Sequence, residues 1–250
     1  MGLLGRLFSR DKPDQEKEKE SRFADIGNVD AICPYCDTPL EKKPGGKKKC
    51  PHCGKYIYVL PRPSDDEQVL LTLGQWKIVK EIRHAPEEYR QAFEAKYTEE
   101  ETALKKQAGA EPAIADVLWR MLNKRLVHCG NEGCWIQYYN TRFEMADLLE
   151  REGRTKNALP IYLEVGYLSV NGPQDQLFES DLYPPFNPKL ARPGPRAVRG
   201  IQSTAEKLEL DLAEVKARFL QATERAHQQL QAPLTPEQAW GKIEGELQLE

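Results

Sequence analysis

Four of the chain's six cysteines stand in two pairs of identical spacing, Cys33-Pro34-Tyr35-Cys36 and Cys50-Pro51-His52-Cys53. Two residues between cysteines, with proline after the first, make a tight turn. That turn aims both thiolates and its backbone amides at one point. Gly54, after the second pair, lets the chain leave in a left-handed conformation. Two such knuckles facing each other place four sulfurs in a tetrahedron, the closed geometry of one structural Zn²⁺. Iron, or four reduced thiols without metal, are the alternatives. His52 lies inside the second knuckle, but four cysteines already complete the coordination. An exposed or supporting place fits it better than a ligand's.

The gap between the knuckles is 13 residues, slightly shorter than the common spacing. It admits one hairpin turning at Pro44-Gly45-Gly46, and residues 55–60 follow as a strand of aromatic and β-branched side chains. A ribbon of about 30 residues is below the roughly 40 at which a domain folds without a staple, so the metal should supply most of its folding free energy. The paired Cys-Pro-x-Cys pattern resembles the zinc-ribbon family with rubredoxin-type knuckles. That resemblance implies a structural ion with no open coordination position.

The ribbon is also where the positive charge sits. Residues 31–60 hold six lysines (Lys42, Lys43, Lys47, Lys48, Lys49 and Lys55) against Asp37 and Glu41, while the whole chain is at -3. Four thiolates on Zn²⁺ leave a formal -2, so one reading of these lysines is charge balance and solubility. The other is a phosphate-contacting patch of Lys47, Lys48, Lys49 and Lys55. In that reading Tyr56, with Tyr35 and Tyr58, is available to stack on bases. The overall acidic balance gives no global field for nucleic acid.

The rest of the sequence reads as helix. Residues 1–9 (MGLLGRLFS) carry Leu3, Leu4, Leu7 and Phe8 on one helical face, either a weak membrane-surface contact or a loosely packed terminus. Residues 10–22 are almost wholly charged and read as a flexible tether, so the first 29 residues are expected to be an amphipathic start and a linker. The ribbon is expected over 30–62, with Pro61, Pro63 and the acids after them as a boundary. A helical domain is expected over 66–171. Within it, Thr72-x-x-Gln75 has capping-box spacing, and Pro86-Glu87-Glu88 opens a further helix. Residues 135–153 and 156–170 form the clearest helical pair, with Pro160 suggesting that the second starts nearer Ala158.

Residues 142–172 resemble one unit of the tetratricopeptide family, with Ala146, Gly153, Ala158, Leu159 and Tyr162 at its packing positions. The hairpin so implied covers 135–171. One unit makes no solenoid groove, so that family's peptide binding does not follow from it. The ribbon followed by Pro-Arg-Pro and charged helices also looks like bacterial and phage zinc-ribbon proteins to which no activity is assigned. Membership there implies a prokaryotic cytoplasm.

Residues 172–200 are rich in proline and glycine and read as a linker. From 201 to 226, Ile201, Ala205, Leu208, Leu212, Val215, Phe219, Ala222 and Ala226 follow at intervals of four and three. This is an apolar seam of coiled-coil type. It points either to self-association through Leu208, Leu212, Val215 and Phe219 or to a long helix packed back on the body. Thr235-Pro236-Glu237-Gln238 caps a last short helix in the C-terminal segment, 201–250.

The expected fold is therefore mainly α: a small four-cysteine zinc ribbon joined to a helical domain and a long C-terminal helix. Cys129 and Cys134 lack a nearby fourth ligand and read as free thiols. No catalytic arrangement, phosphate-binding glycine loop or bilayer-length apolar run is present, nor any secretory signal, and reduced cysteines suit the cytoplasm. The expected function is a non-enzymatic, zinc-binding scaffold or adaptor that engages a protein partner or a second copy. The alternative is nucleic-acid binding through the basic ribbon. No small-molecule substrate is indicated.

Overall fold

In the computed structural model, which describes residues 23–174, 184–189 and 191–249, helices dominate. Among the described residues there are eight α-helices and one three-stranded antiparallel sheet. The chain divides into two compact units, residues 1–94 and 95–250, with the boundary inside a helix. The expectations for residues 1–22, the membrane-surface helix and the charged tether, lie outside the described residues.

In the first unit, β1 (Lys48–Lys49) pairs with β2 (Tyr56–Pro61), and β2 pairs with β3 (Gln68–Leu71). The register sets Lys49 opposite Tyr56 and Tyr58 opposite Leu71. β3 corrects the expected boundary at 62–66. Arg62 to Glu67 is a hairpin turn: the Asp66 N–H donates to the Arg62 carbonyl at 2.9 Å, and Asp66 is left-handed at φ 58°. The Arg62 guanidinium grips Asp65 across it, Nε to Oδ1 at 3.0 Å. Val69, Leu70 and Leu71 are all fully buried, the continuous apolar run of a strand covered on both faces.

Residues 23–28, expected as part of the tether, are instead packed against the sheet. Phe23 and Ile26 are buried, and Asn28 pairs with Leu70 through two backbone hydrogen bonds of 2.9 and 2.7 Å. Gly27 makes this approach at φ 86°. A Cβ there would stand 2.6 Å from Leu71 and 2.9 Å from Val69. Helix α1 (Leu73–Ile82) then packs on the sheet with Leu73, Ile78, Val79 and Ile82 buried. Its capping box is complete: the Gln75 N–H donates to Thr72 Oγ1, and the Thr72 N–H to Gln75 Oε1 at 2.9 Å.

Helix α2 (Glu87–Ala108) carries the unit boundary. In the second unit its Glu100 is 4% exposed and is held by two cations of α3 (Ile114–Asn131), Arg120 at 2.8 Å and Lys124. A buried carboxylate persists there because two cations compensate its lost hydration.

α4 (Trp135–Arg151) and α5 (Thr155–Asn171) form a hairpin turning at Gly153, φ 79°. Arg142 reaches across it to Glu164, Nε to Oε1 at 2.9 Å. Helix α5 starts at Thr155 despite Pro160. It contacts α4, α6, α7 and α8, and this burial offsets the missing N–H.

The segment 172–200 is not simply a linker. Phe186 is buried against Trp135, rings 5.5 Å apart, and its neighbour Asn187 donates its N–H to the Gly172 carbonyl at 2.8 Å. Helix α6 begins at Pro195 and runs to Lys207, with proline at its first position. The seam from 201 to 226 is not one long helix. It breaks at Glu209, φ 54°, and α7 (Leu212–Leu230) restarts from a capping box of Asp211 and Glu214. Ile201, Val215 and Phe219 are fully buried in the chain's own core, and Leu208 and Leu212 are half-buried. Phe219 packs between Tyr167 and Trp240 of α8 (Pro236–Ile243), ring centroids at 6.4 and 5.3 Å. Val215 and Phe219 are therefore interior residues, not a surface for a second copy.

Candidate metal centre

Each knuckle is built by the same two backbone bonds. The Asp37 N–H donates to the Cys33 carbonyl at 3.0 Å, and the Gly54 N–H donates to the Cys50 carbonyl at 3.0 Å. The Cys33 N–H donates to Thr38 O at 3.0 Å, and the Cys50 N–H to Lys55 O at 2.8 Å. Both turns exit through a left-handed residue, Gly54 at φ 74° and Asp37 at φ 51°. Aspartate is among the few side chains that tolerate this region, which lets the first knuckle match the second without a glycine.

The hairpins bring all four sulfurs together. Cys33 Sγ lies 3.8 Å from Cys53 Sγ, Cys36 Sγ lies 4.0 Å from Cys50 Sγ, and all four fall within 4.8 Å of one another. Four sulfurs at about 2.3 Å from one ion define a tetrahedron with edges of about 3.8 Å. The donor set and its spacing thus fit a single metal ion. Ile57 and Leu70 close the apolar side of the cluster, with Cys33 and Cys50 buried among them.

The thiols are not equivalent. Burial pushes the Cys33 thiol up to about 12. The Thr38 side chain beside Cys36 pulls that thiol down to about 6. The Cys53 backbone amide lowers Cys50 in the same way. Hydrogen bonds aimed at sulfur favour thiolate, the form that binds metal.

His52 is exposed and takes no part in the sulfur cluster. Cys129 and Cys134 belong to a helix end in the second unit. The Cys134 N–H donates to the Cys129 carbonyl at 2.9 Å across Gly133, φ 69°, as in a Schellman turn. Among the described residues they join no group of three metal-ligating side chains.

The basic residues line the ribbon's outer edge. Lys48 and Lys49 are β1 itself, and both are exposed. Lys47 Nζ sits 4.5 Å over the ring of Tyr56, which is 50% exposed. Lys55 Nζ lies 4.9 Å over the ring of Tyr35. A shallow cleft at the hairpin tip is lined by Lys42, Lys43, Lys47 and Lys48 around Pro44-Gly45-Gly46. Among the described residues, only Lys43 of the six pairs with a carboxylate, Glu67 at 3.9 Å. Tyr58 and Tyr35 are not free to stack on a base. Tyr58 is buried on Trp76, rings 5.3 Å apart, and the Tyr35 hydroxyl accepts the Leu73 N–H at 2.7 Å.

Sequence reasoning missed β3 and the Tyr35 hydrogen bond. The run Val69-Leu70-Leu71 was the available signal for the strand. No helix among the described residues is long and apolar enough to cross a membrane. Comparison of the chain with protein-family models, with curated proteins and with solved structures found no match.

Proposed function

We infer that this chain is a non-enzymatic, zinc-stapled binding protein whose ribbon contacts the phosphate backbone of a nucleic acid. Zn²⁺ on Cys33, Cys36, Cys50 and Cys53 would be structural, with no position left for substrate. Its part is to hold β1 and β2 in register so that their side chains present one surface. Reduced thiols at this site suit a cytoplasmic setting.

The observation that carries the reading is Tyr56. It is a half-exposed aromatic ring set opposite Lys49 in the register and beneath Lys47, on an edge whose lysines, Lys43 apart, have no acidic partner among the described residues. A cationic rim that tracks phosphates around a ring that stacks on a base is the usual arrangement for single strands. The test is fluorescence anisotropy with a labelled single-stranded oligonucleotide over a salt series. Binding should weaken steeply with salt. It should disappear when Lys47, Lys48 and Lys49 are changed together to Glu, and Tyr56→Ala should cost about 1–3 kcal/mol. Binding that is absent at low salt, or that survives the triple change, overturns the reading.

A second reading, an adaptor for a protein partner, is favoured by two apolar side chains of the helical unit, Val127 at 62% and Ile136 at 42% exposure. A partner held there would be lost with Val127→Glu and Ile136→Glu while oligonucleotide binding stayed unchanged.

A further inference from the structure

A shallow cleft of about 260 Å³ opens in the helical unit between α4, α5 and α6, far along the chain from the cysteines. Its charges are unevenly spent. Arg151 is paired with Asp147 at 2.8 Å, and Glu150 is paired with Lys207. Arg196 and Arg199 also line the cleft, and neither has a carboxylate partner among the described residues. Arg196 sits over the ring of Phe143, its guanidinium carbon 4.2 Å from the centroid. That cation–π contact anchors the guanidinium at the cleft without using its N–H donors.

Tyr162 forms the floor. It is 3% exposed, yet its hydroxyl makes no hydrogen bond to any described residue. The charged groups that act on this hydroxyl are Asp147, Glu150, Arg151 and Arg196, all of them cleft residues. The hydroxyl therefore sits among the cleft's charges. Burial raises it well above the usual tyrosine value, which keeps it protonated and a donor. The ring is buried while the hydroxyl keeps a water-accessible edge on the cleft, and with no protein partner it is available to donate to a ligand there.

Gly200 explains how the ring comes so close to α6. A Cβ at that position would lie 2.5 Å from two ring atoms of Tyr162. Arg196, Arg199 and Ser203 follow at three- and four-residue intervals and share one face of α6. Arg196 and Arg199 stand in the helix's first two turns, where the dipole favours negative charge.

We propose that this cleft binds a tetrahedral oxyanion, the phosphoryl group of a small phosphate ester, through Arg196, Arg199, Ser203 and the Tyr162 hydroxyl. Two unpaired guanidinium groups match a dianion. Donors from two helices suit three terminal oxygens better than a planar carboxylate's two. The site is independent of the ribbon and of what the ribbon binds.

The test uses the full-length, metal-loaded protein with inorganic phosphate as probe, read by phosphorus NMR line broadening, and sodium acetate as competitor. Phosphate should broaden saturably, and acetate should not displace it. Arg199→Glu, at an exposed position, should weaken binding roughly tenfold or more, and Tyr162→Phe, which removes only the hydroxyl, about three- to tenfold. Lys48→Glu in the ribbon should leave binding unchanged. No broadening by the parent protein overturns the proposal. So does broadening that persists in Arg199→Glu, that is lost with Lys48→Glu, or that acetate abolishes at equal concentration. A circular dichroism melt matching the parent's confirms that each variant is folded when it is compared.

Discussion

The Tyr35 hydroxyl accepts a hydrogen bond from the backbone N–H of Leu73 at 2.7 Å, so a side chain inside the first cysteine knuckle caps the first turn of α1. That N–H is one of the four that a helix start leaves without an internal partner. Leu73 is 2% exposed, and water does not replace the tyrosine there. Tyr35→Phe should therefore destabilise the first unit by about 1–3 kcal/mol while leaving metal content unchanged. Urea unfolding of the metal-loaded protein, followed by Trp76 fluorescence, measures it.

Metal removal should act on one unit and spare the other. Stripping with a chelator under reducing conditions should release one metal ion per chain and expose the amides of β2 and β3 to hydrogen exchange. The amides of α5, buried among four helices, should keep their protection. Uptake should also depend on pH in a fixed direction. Cys36 near 6 and the lowered Cys50 favour thiolate, whereas Cys33 near 12 holds its proton at neutral pH and must release it to bind. Affinity should therefore rise with pH, and titration calorimetry in two buffers should register proton release.

The seam residues should behave as core. Phe219→Ala should lower the second unit's stability by about 3–5 kcal/mol, the cost of an aromatic cavity. Leu212→Asp, at a half-buried position, should leave the mass in solution unchanged by light scattering. A dimer lost on that substitution would return the seam to an intermolecular role.

Alkali should unfold the second unit within a defined window. Tyr167 is fully buried and pushed up to about 12 by that burial, and Tyr162 is raised too, against an ordinary value near 10. A raised phenol contributes stability that is complete below the unfolded value and is lost as pH rises through the folded one. Thermal midpoints should hold to about pH 10 and fall toward 12, with phenolate absorbance appearing together with loss of helix. Tyrosines ionising before the helices melt would show that they are less enclosed than the structure has them.

The four-cysteine cluster was the most legible part of the chain, because its geometry is local. Two Cys-Pro-x-Cys turns specify their own geometry, and only their facing each other depends on the rest. The α4–α5 hairpin was legible for a similar reason, since Gly153 and two runs of helical spacing lie side by side. β3 was hidden because its four residues follow a proline- and aspartate-rich turn that reads equally as a boundary. The seam misled in another way. Heptad spacing continues across Glu209 to Asp211, but a left-handed residue and the Asp211–Glu214 capping box stop the helix, and the spacing then serves two helices folded on α5. The oxyanion cleft joins Phe143, Tyr162 and Arg199, residues brought together only by tertiary packing.

The pairing of Asn28 with Leu70 bears on how anything can approach the ribbon. With that bridge at Leu70 of the four-residue β3, and β1 at the other margin only two residues long and both of them lysine, the described residues leave the sheet little bare main chain for a visiting strand to extend. Whatever recognises this module must read its side chains, so swapping a handful of surface residues should redirect its choice of ligand without disturbing its architecture.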